Sequence, residues 1–258
     1  MIIASHTDVG MKRSTNQDYH ITKKYSKRTS LSVVCDGMGG AKGGEEASKI
    51  AAKAFVDYMD EFLEAYVGNK KAKVTSDEIK RAMLVALDIA NDRVYRYAQA
   101  HLNMKGMGTT IVAALTIDNT VFILNVGDSR AYFLKGNKYQ QITKDHSYVQ
   151  YLIDLGQLTE QEAMQSDKKN IITRAVGTER DVDGDIYKQT VTPGTFILLC
   201  TDGLANYING ETMCEIVSGD YNAISADEIG LTVRARRLVD KANDLGGADN
   251  ITVVLMRV

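Results

Sequence analysis

Four acidic residues stand where runs of apolar residues meet loops: Asp36 before Gly37, Asp128 after Gly127, Asp202 before Gly203, and Asp249 before Asn250. Asp36 closes the run Leu31-Ser32-Val33-Val34-Cys35, whose β-branched residues read as a buried strand. The strand is expected to end there, and the glycines of Asp36-Gly37-Met38-Gly39-Gly40 would allow a close backbone approach or a positive φ. Taken singly, each acid also suits a turn or a cap. Taken jointly, four carboxylates at strand edges form a set of hard oxygen donors. The four histidines are scattered and no His-Glu-x-x-His run occurs. The set therefore suits Mg²⁺ or Mn²⁺ rather than zinc. Arg13 adds a planar cation able to grip phosphate with two parallel hydrogen bonds.

Short strands and two long helices must position these groups. Residues 2–6, 19–22 and 31–35 read as strands. From Glu45 the apolar period turns helical through Ala47, Ile50, Ala51, Ala54, Phe55, Tyr58 and Phe62. Thr75-Ser76-Asp77-Glu78 is a capping box opening a second helix, with Ile79, Met83, Ala86, Leu87, Ala90, Val94 and Tyr97 on one face. Residues 111–116 and 121–126 form an expected hairpin around Asp118-Asn119. Residues 131–134 and 138–142 continue an antiparallel sheet through Gly136-Asn137. Residues 146–175 differ. A short helix ending at Gly156 and another opened by Thr159-Glu160-Gln161-Glu162 point to an inserted flap. Residues 195–200 read as a strand. Ser225-Ala226-Asp227-Glu228 is expected to cap a helix with Ile229, Val233, Leu238 and Ala242 on its apolar side, before a last strand at 251–256.

At 258 residues the chain can bury one sizeable core, and with a single proline it has no linker-like stretch. One domain over residues 1–258 is the economical reading. A net charge of −2 argues against binding nucleic acid through bulk charge. No run is apolar enough for membrane insertion, and no signal peptide is evident. Cys35, Cys200 and Cys214 are odd in number and read as core thiols of a reducing compartment. A cytoplasmic location is expected.

In order along the chain stand Thr7-Asp8-Val9-Gly10-x-x-Arg13-x-x-Asn16-Gln17-Asp18, Cys35-Asp36-Gly37-Met38-Gly39-Gly40, Gly108-Thr109-Thr110, Gly127-Asp128-Ser129-Arg130, Thr201-Asp202-Gly203-Leu204 and Gly247-Ala248-Asp249-Asn250. This series resembles the metal-dependent Ser/Thr protein phosphatases of the PPM (type 2C) family, bacterial branch, over essentially the whole chain. The resemblance implies an α+β fold, an α-β-β-α sandwich of two facing antiparallel sheets flanked by helices. It implies hydrolysis of phosphoserine and phosphothreonine in proteins by metal-activated water, opposing a cognate Ser/Thr protein kinase. It further implies a monomer. By the same resemblance Asp36 bridges two Mn²⁺ or Mg²⁺ ions, the Gly37 carbonyl completes the second, and Asp202 and Asp249 hold the first. Asp128, with Asp202, would hold a third and weaker ion. Arg13 would grip the substrate phosphate. Asp18 would order water from behind the ligands, with Gln17 and Asn250 nearby.

Two positions depart from the family pattern. Gln17 stands where many members carry Glu, so the second ion site is expected to be weaker, or to rely on Asp18. Met38 stands where eukaryotic members carry a His proposed as general acid. His146, opening the flap, reads as a cap or surface residue. Asp181-Val182-Asp183-Gly184-Asp185 reads as an acidic turn, because its glycine is misplaced for a calcium loop. The dehalogenase-type phosphatase, P-loop and dinucleotide-binding patterns all fail around Asp36. The alternative of another class is a catalytically weak pseudo-phosphatase that binds phosphoproteins, against which the intact Asp36, Asp202 and Asp249 speak. The flap is expected to select substrates.

Overall fold

The computed structural model describes residues 1–67, 74–219 and 227–258. The chain opens with strands β1 (Ile2–Asp8), β2 (Asp18–Lys24) and β3 (Thr29–Met38), then the long helices α1 (Ala41–Val67) and α2 (Ser76–Ala100). Five strands follow: β4 (Gly108–Thr109), β5 (Ile111–Ile117), β6 (Thr120–Val126), β7 (Arg130–Lys135) and β8 (Lys138–Gln141). Two short helices, α3 (Tyr148–Asp154) and α4 (Glu160–Gln165), precede β9 (Asp185–Thr190) and β10 (Phe196–Cys200). The last elements are α5 (Asp202–Ala205), α6 (Gly210–Ser218), α7 (Glu228–Asp244) and β11 (Ile251–Arg257).

Among the described residues the strands form two antiparallel sheets. One has the order β1-β11-β10-β7-β8; the other runs β2-β3-β5-β6-β9, with β4 paired to β3. Alternation along each strand builds the layers. Leu31, Val33 and Cys35 of β3, with Ala113, Leu115, Phe122 and Leu124, pack under α1 and α2. The intervening Val34, Val112, Ala114, Val121 and Ile123 face Ile197, Leu199, Val254 and Met256 of the other sheet. The opposite faces of those strands, with Leu198, Cys200, Val253 and Leu255, pack against Met213, Val217, Leu238 and Val239 of α6 and α7. The order helix–sheet–sheet–helix is the α+β sandwich expected. Burying each such aliphatic side chain contributes roughly 1.5–3 kcal/mol.

The capping box of α2 is present: Thr75 accepts from the Glu78 N–H at 3.3 Å, and Glu78 accepts from the Thr75 N–H at 2.8 Å. The Asp118-Asn119 hairpin forms, with Asp118 at φ 51°. All three cysteines are buried and unpaired. Other expectations need correction. Asp227 caps α7, and Ser225 and Ala226 lie outside the described residues. Ile229 is exposed, and α7 turns Leu231, Ala235, Leu238, Val239 and Ala242 inward instead. The sequence pattern revealed neither β9 nor α6. Asp185 ends the acidic run 181–185 but opens β9, opposite Asn125. As an edge strand β9 exposes much of its side-chain surface, which hides the alternation. Among the described residues no helix is long and apolar enough to cross a membrane.

Candidate active site

The acids gather at one end of the sandwich, where the two sheets meet. Asp36 lies within β3 rather than past its end. The strand runs on to Met38 because β4 pairs with it, Gly37 opposite Thr109 and Met38 opposite Gly108. The Asp36 N–H donates to Thr110 Oγ1 at 2.9 Å, and its carbonyl accepts from the Thr110 N–H and the Thr109 hydroxyl, both at 2.8 Å. The backbone carrying the acid is thus pinned. Across the ladder, Asp18 is its direct partner on β2. Asp202 begins α5 straight after β10, and Asp249 and Asn250 immediately precede β11. Asp128 sits on the crossover from β6 in one sheet to β7 in the other.

Hydrogen bonds join these segments. Thr201 donates to Asp18 Oδ2 at 3.0 Å while accepting from the Thr252 N–H at 3.0 Å, tying one sheet to the other. Asn250 accepts from the Gln17 N–H at 2.8 Å and donates to the Val9 and Thr15 carbonyls, each at 2.9 Å. Its amide therefore shapes the loop that presents Arg13. Arg13 Nη2 reaches Asp249 Oδ2 at 2.8 Å. Gln17 Nε2 donates to the Gly40 carbonyl at 2.7 Å. A side chain on Gly37 would meet the Gly44 carbonyl at 2.0 Å, so only glycine lets the first turn of α1 close on β3. All nine residues expected from the sequence converge: Arg13, Gln17, Asp18, Asp36, Gly37, Asp128, Asp202, Asp249 and Asn250.

The electrostatics are strained. Burial, then Asp18, Asp202, Asp128 and Asp249, hold the Asp36 carboxyl well above the ordinary range. Burial and the charge of Asp202 raise Asp128 to about 7. Asp18 is raised to about 7 by burial, against the hydrogen bonds from Thr252 and Thr201. Asp202 is raised to about 6 by burial and Asp249. The Oδ1 atoms of Asp18, Asp128 and Asp202 are buried with no hydrogen-bond partner. Each such oxygen costs on the order of 1–3 kcal/mol. Among the described residues no three His, Cys, Asp or Glu side chains close into a ready-made cage. The acids form an open cluster instead. Unsatisfied carboxylate oxygens that repel one another fit hard divalent cations, which would neutralise them.

Sequence reasoning missed several supporting groups. Thr110 and Thr201 lay inside quoted motifs, without a role. Arg130, just after Asp128 in the chain, is held by Asp145 through both carboxylate oxygens, at 3.0 and 2.7 Å. His146, expected from sequence as a cap or surface residue, is instead buried at 8% exposure and bonded to Gly127. A cavity of ≈ 410 Å³ opens between the core and α3 and α4, with Asp128 and Asp202 on one wall and Val149, Ile153 and Met164 on the other.

The model of the family described as protein phosphatase 2C matches residues 4–235. The chain belongs to the protein phosphatase 2C family. It is 34% identical over 250 residues to the serine/threonine phosphatase stp of Listeria innocua, covering 97% of this chain and 93% of that protein. The crystal structure of serine/threonine phosphatase Stp1 from Staphylococcus aureus superposes with a TM-score of 0.85 at 32% identity, covering 100% of this chain and 95% of that one. The catalytic domain of the phosphatase PstP, solved in complex with two manganese ions, matches with a TM-score of 0.77 at 29% identity, over 98% of this chain and 96% of that one.

Proposed function

We propose that the chain hydrolyses phosphoserine and phosphothreonine in proteins, with Mn²⁺ or Mg²⁺ held by its acidic cluster. The observation that carries this reading is the set of unpartnered buried oxygens on Asp18, Asp128 and Asp202, grouped round Asp36 beside Arg13. Membership of the protein phosphatase 2C family gives the substrate class. Asp36 and the Gly37 carbonyl would hold ions together with Asp202 and Asp249, and Asp128 with Asp202 would take a third. Bound divalent ions supply neutralisation of the phosphate dianion and a water acidic enough to ionise near neutral pH.

The chain's own groups do the rest. Arg13 offers its planar donors to phosphate oxygens. Thr201 holds Asp18 in place to order water. Asn250 keeps the Arg13 loop against β11. Met38 has no ionisable proton to give, so the leaving alkoxide would be protonated by another group or by water in the cleft. Residues 1–258 would act as one domain carrying a flap at 146–175, and the flap would sort substrates along the cavity beside Asp202. A cytoplasmic monomer that removes the marks of a Ser/Thr kinase is the biological setting this reading suggests. No observation favours the pseudo-phosphatase alternative.

The test is phosphate release from a phosphothreonine peptide with Mn²⁺, beside the same assay in EDTA and with Asp36→Asn. Metal-dependent release by the native chain and its loss in the variant are expected. No release from the native chain would leave only phosphoprotein binding.

A further inference from the structure

We infer that His146, at the root of the flap, is a positioning residue for Asp128. This rests on the reading above that Asp128 takes an ion. Asp128 sits on a crossover with no regular structure of its own, preceded by Gly127 at φ 105°. Both backbone groups of Gly127 are bound by one residue. The Gly127 N–H donates to His146 Nδ1 at 3.0 Å, and its carbonyl accepts from the His146 N–H at 2.9 Å. Asn125 Nδ2 adds a longer bond to the same carbonyl at 3.2 Å.

The ring itself is fixed from behind. Because Nδ1 accepts from Gly127, the neutral ring carries its proton on Nε2, which lies 3.3 Å from Asp185 Oδ2 and 3.1 Å from Arg174 Nη1; of the two only the carboxylate can accept it. Arg174 Nη1 holds the other oxygen of Asp185 at 3.2 Å and the Asp183 carbonyl at 3.1 Å. His146 and Arg174 stand at the two ends of the flap. The Thr173 N–H donates to the His146 carbonyl at 2.8 Å, and Ser147 pairs with Ile172 in an antiparallel bridge. The root of the flap is therefore a closed ladder whose first residue grips the peptide next to Asp128. A shift of the flap moves that peptide, and Asp128 Oδ1, which has no hydrogen-bond partner of its own to hold it, moves with it.

The experiment is an equilibrium Mn²⁺ titration of metal-stripped protein, reading free ion by electron paramagnetic resonance, alongside thermal melts. The native chain should show a weak binding event that Asp128→Asn removes. His146→Ala should weaken that event by about tenfold, the lower end for loss of a group that orients a ligand. His146→Asn places an amide oxygen where Nδ1 stood and should restore most of the affinity. His146→Gln reaches Asp185 but gives Gly127 no acceptor, so it should bind as poorly as the alanine variant. If alanine does not fold, the Asn and Gln variants carry the same comparison. Equal weak-event affinity in the native chain and the three His146 variants overturns the inference. So does affinity that follows melting temperature instead of the Gly127 acceptor. If Asp128→Asn changes no event, the ion reading of Asp128 fails and takes this inference with it. An Asp128-dependent event indifferent to His146 overturns the inference alone.

Discussion

At the scale of single residues, the two that most sharply test the site are Arg13 and Gln17. Arg13 is half exposed and paired with Asp249, so its role is set by geometry more than by burial. Hydrogen bonds to charged groups contribute about 1.5–3 kcal/mol, so Arg13→Ala should lower kcat/KM on a phosphopeptide by about 10- to 100-fold. Arg13→Lys should recover only part, because an ammonium cannot make the paired contact. Full activity in the alanine variant would remove Arg13 from phosphate binding. Gln17 poses a more pointed question. From sequence, its missing charge meant a weaker second ion. The fold adds a reason for the amide: Nε2 donates to the Gly40 carbonyl. In Gln17→Glu that bond becomes a contact of two acceptors, costing about 1 kcal/mol, while the new charge favours the ion. The variant should melt lower than the native chain in EDTA and gain more on adding Mn²⁺. An unchanged Mn²⁺ gain would show that residue 17 does not act on the metal.

Most of the long secondary-structure elements were legible in the sequence. The period of α2 followed from residue type because burial on one side imposes a pattern, and its Thr75–Glu78 box marked the start; β5 and β6, buried on both faces, were legible instead as apolar runs round the Asp118-Asn119 turn. Where the pattern fails, the reasons are physical. Edge strand β9 is half solvated, and α6 is capped by Asn209 in a stretch with no box. At this scale His146 gives a prediction with a definite sign. Burial lowers its pKa, and Arg174 adds to that, against Asp185 and Asp145. A lowered folded pKa means that the unfolded chain binds the proton more readily. The stability it contributes is full above the ordinary histidine value of 6.5 and is lost as pH falls below it. Melting temperature between pH 7 and 5 should therefore drop more in the native chain than in His146→Asn. Parallel slopes would remove the ring from the acid response of the flap root. The flap itself has a separate test. Replacing residues 155–170 should alter preference among phosphopeptides and spare turnover of a small aryl phosphate, and equal loss on both would count against a selecting role.

On the scale of the whole molecule, the convergence was invisible until the sheets were assembled. Arg13 and Asp249 are 236 positions apart, and only the pairing of β1 with β11 and of β2 with β3 brings their loops together. The motifs said which acids matter. They could not say that five of them share one end of the sandwich, nor that two sheets are laced there by Thr201 and Thr252. That concentration of charge sets function against stability. Asp36 has a raised pKa in the fold, so at neutral pH it penalises the folded chain whether it keeps its charge or holds a proton, since the unfolded chain ionises it freely. Asn at this position removes the penalty and keeps the shape. Asp36→Asn should therefore melt higher than the native chain in EDTA, by about 2–4 °C for each kcal/mol relieved. Divalent ions reverse the order. A ligand at about 100 times its Kd contributes about 2.7 kcal/mol to the folded state, so excess Mn²⁺ should raise the native melting point by about 5–10 °C. The variant, lacking the shared ligand, should rise far less. Four calorimetric scans decide it: native and Asp36→Asn, each in EDTA and in excess Mn²⁺. Crossing of the two chains is the expected result. A variant that melts lower in EDTA, or that gains as much from Mn²⁺ as the native chain, would mean that Asp36 is neither the strained centre of the cluster nor a ligand.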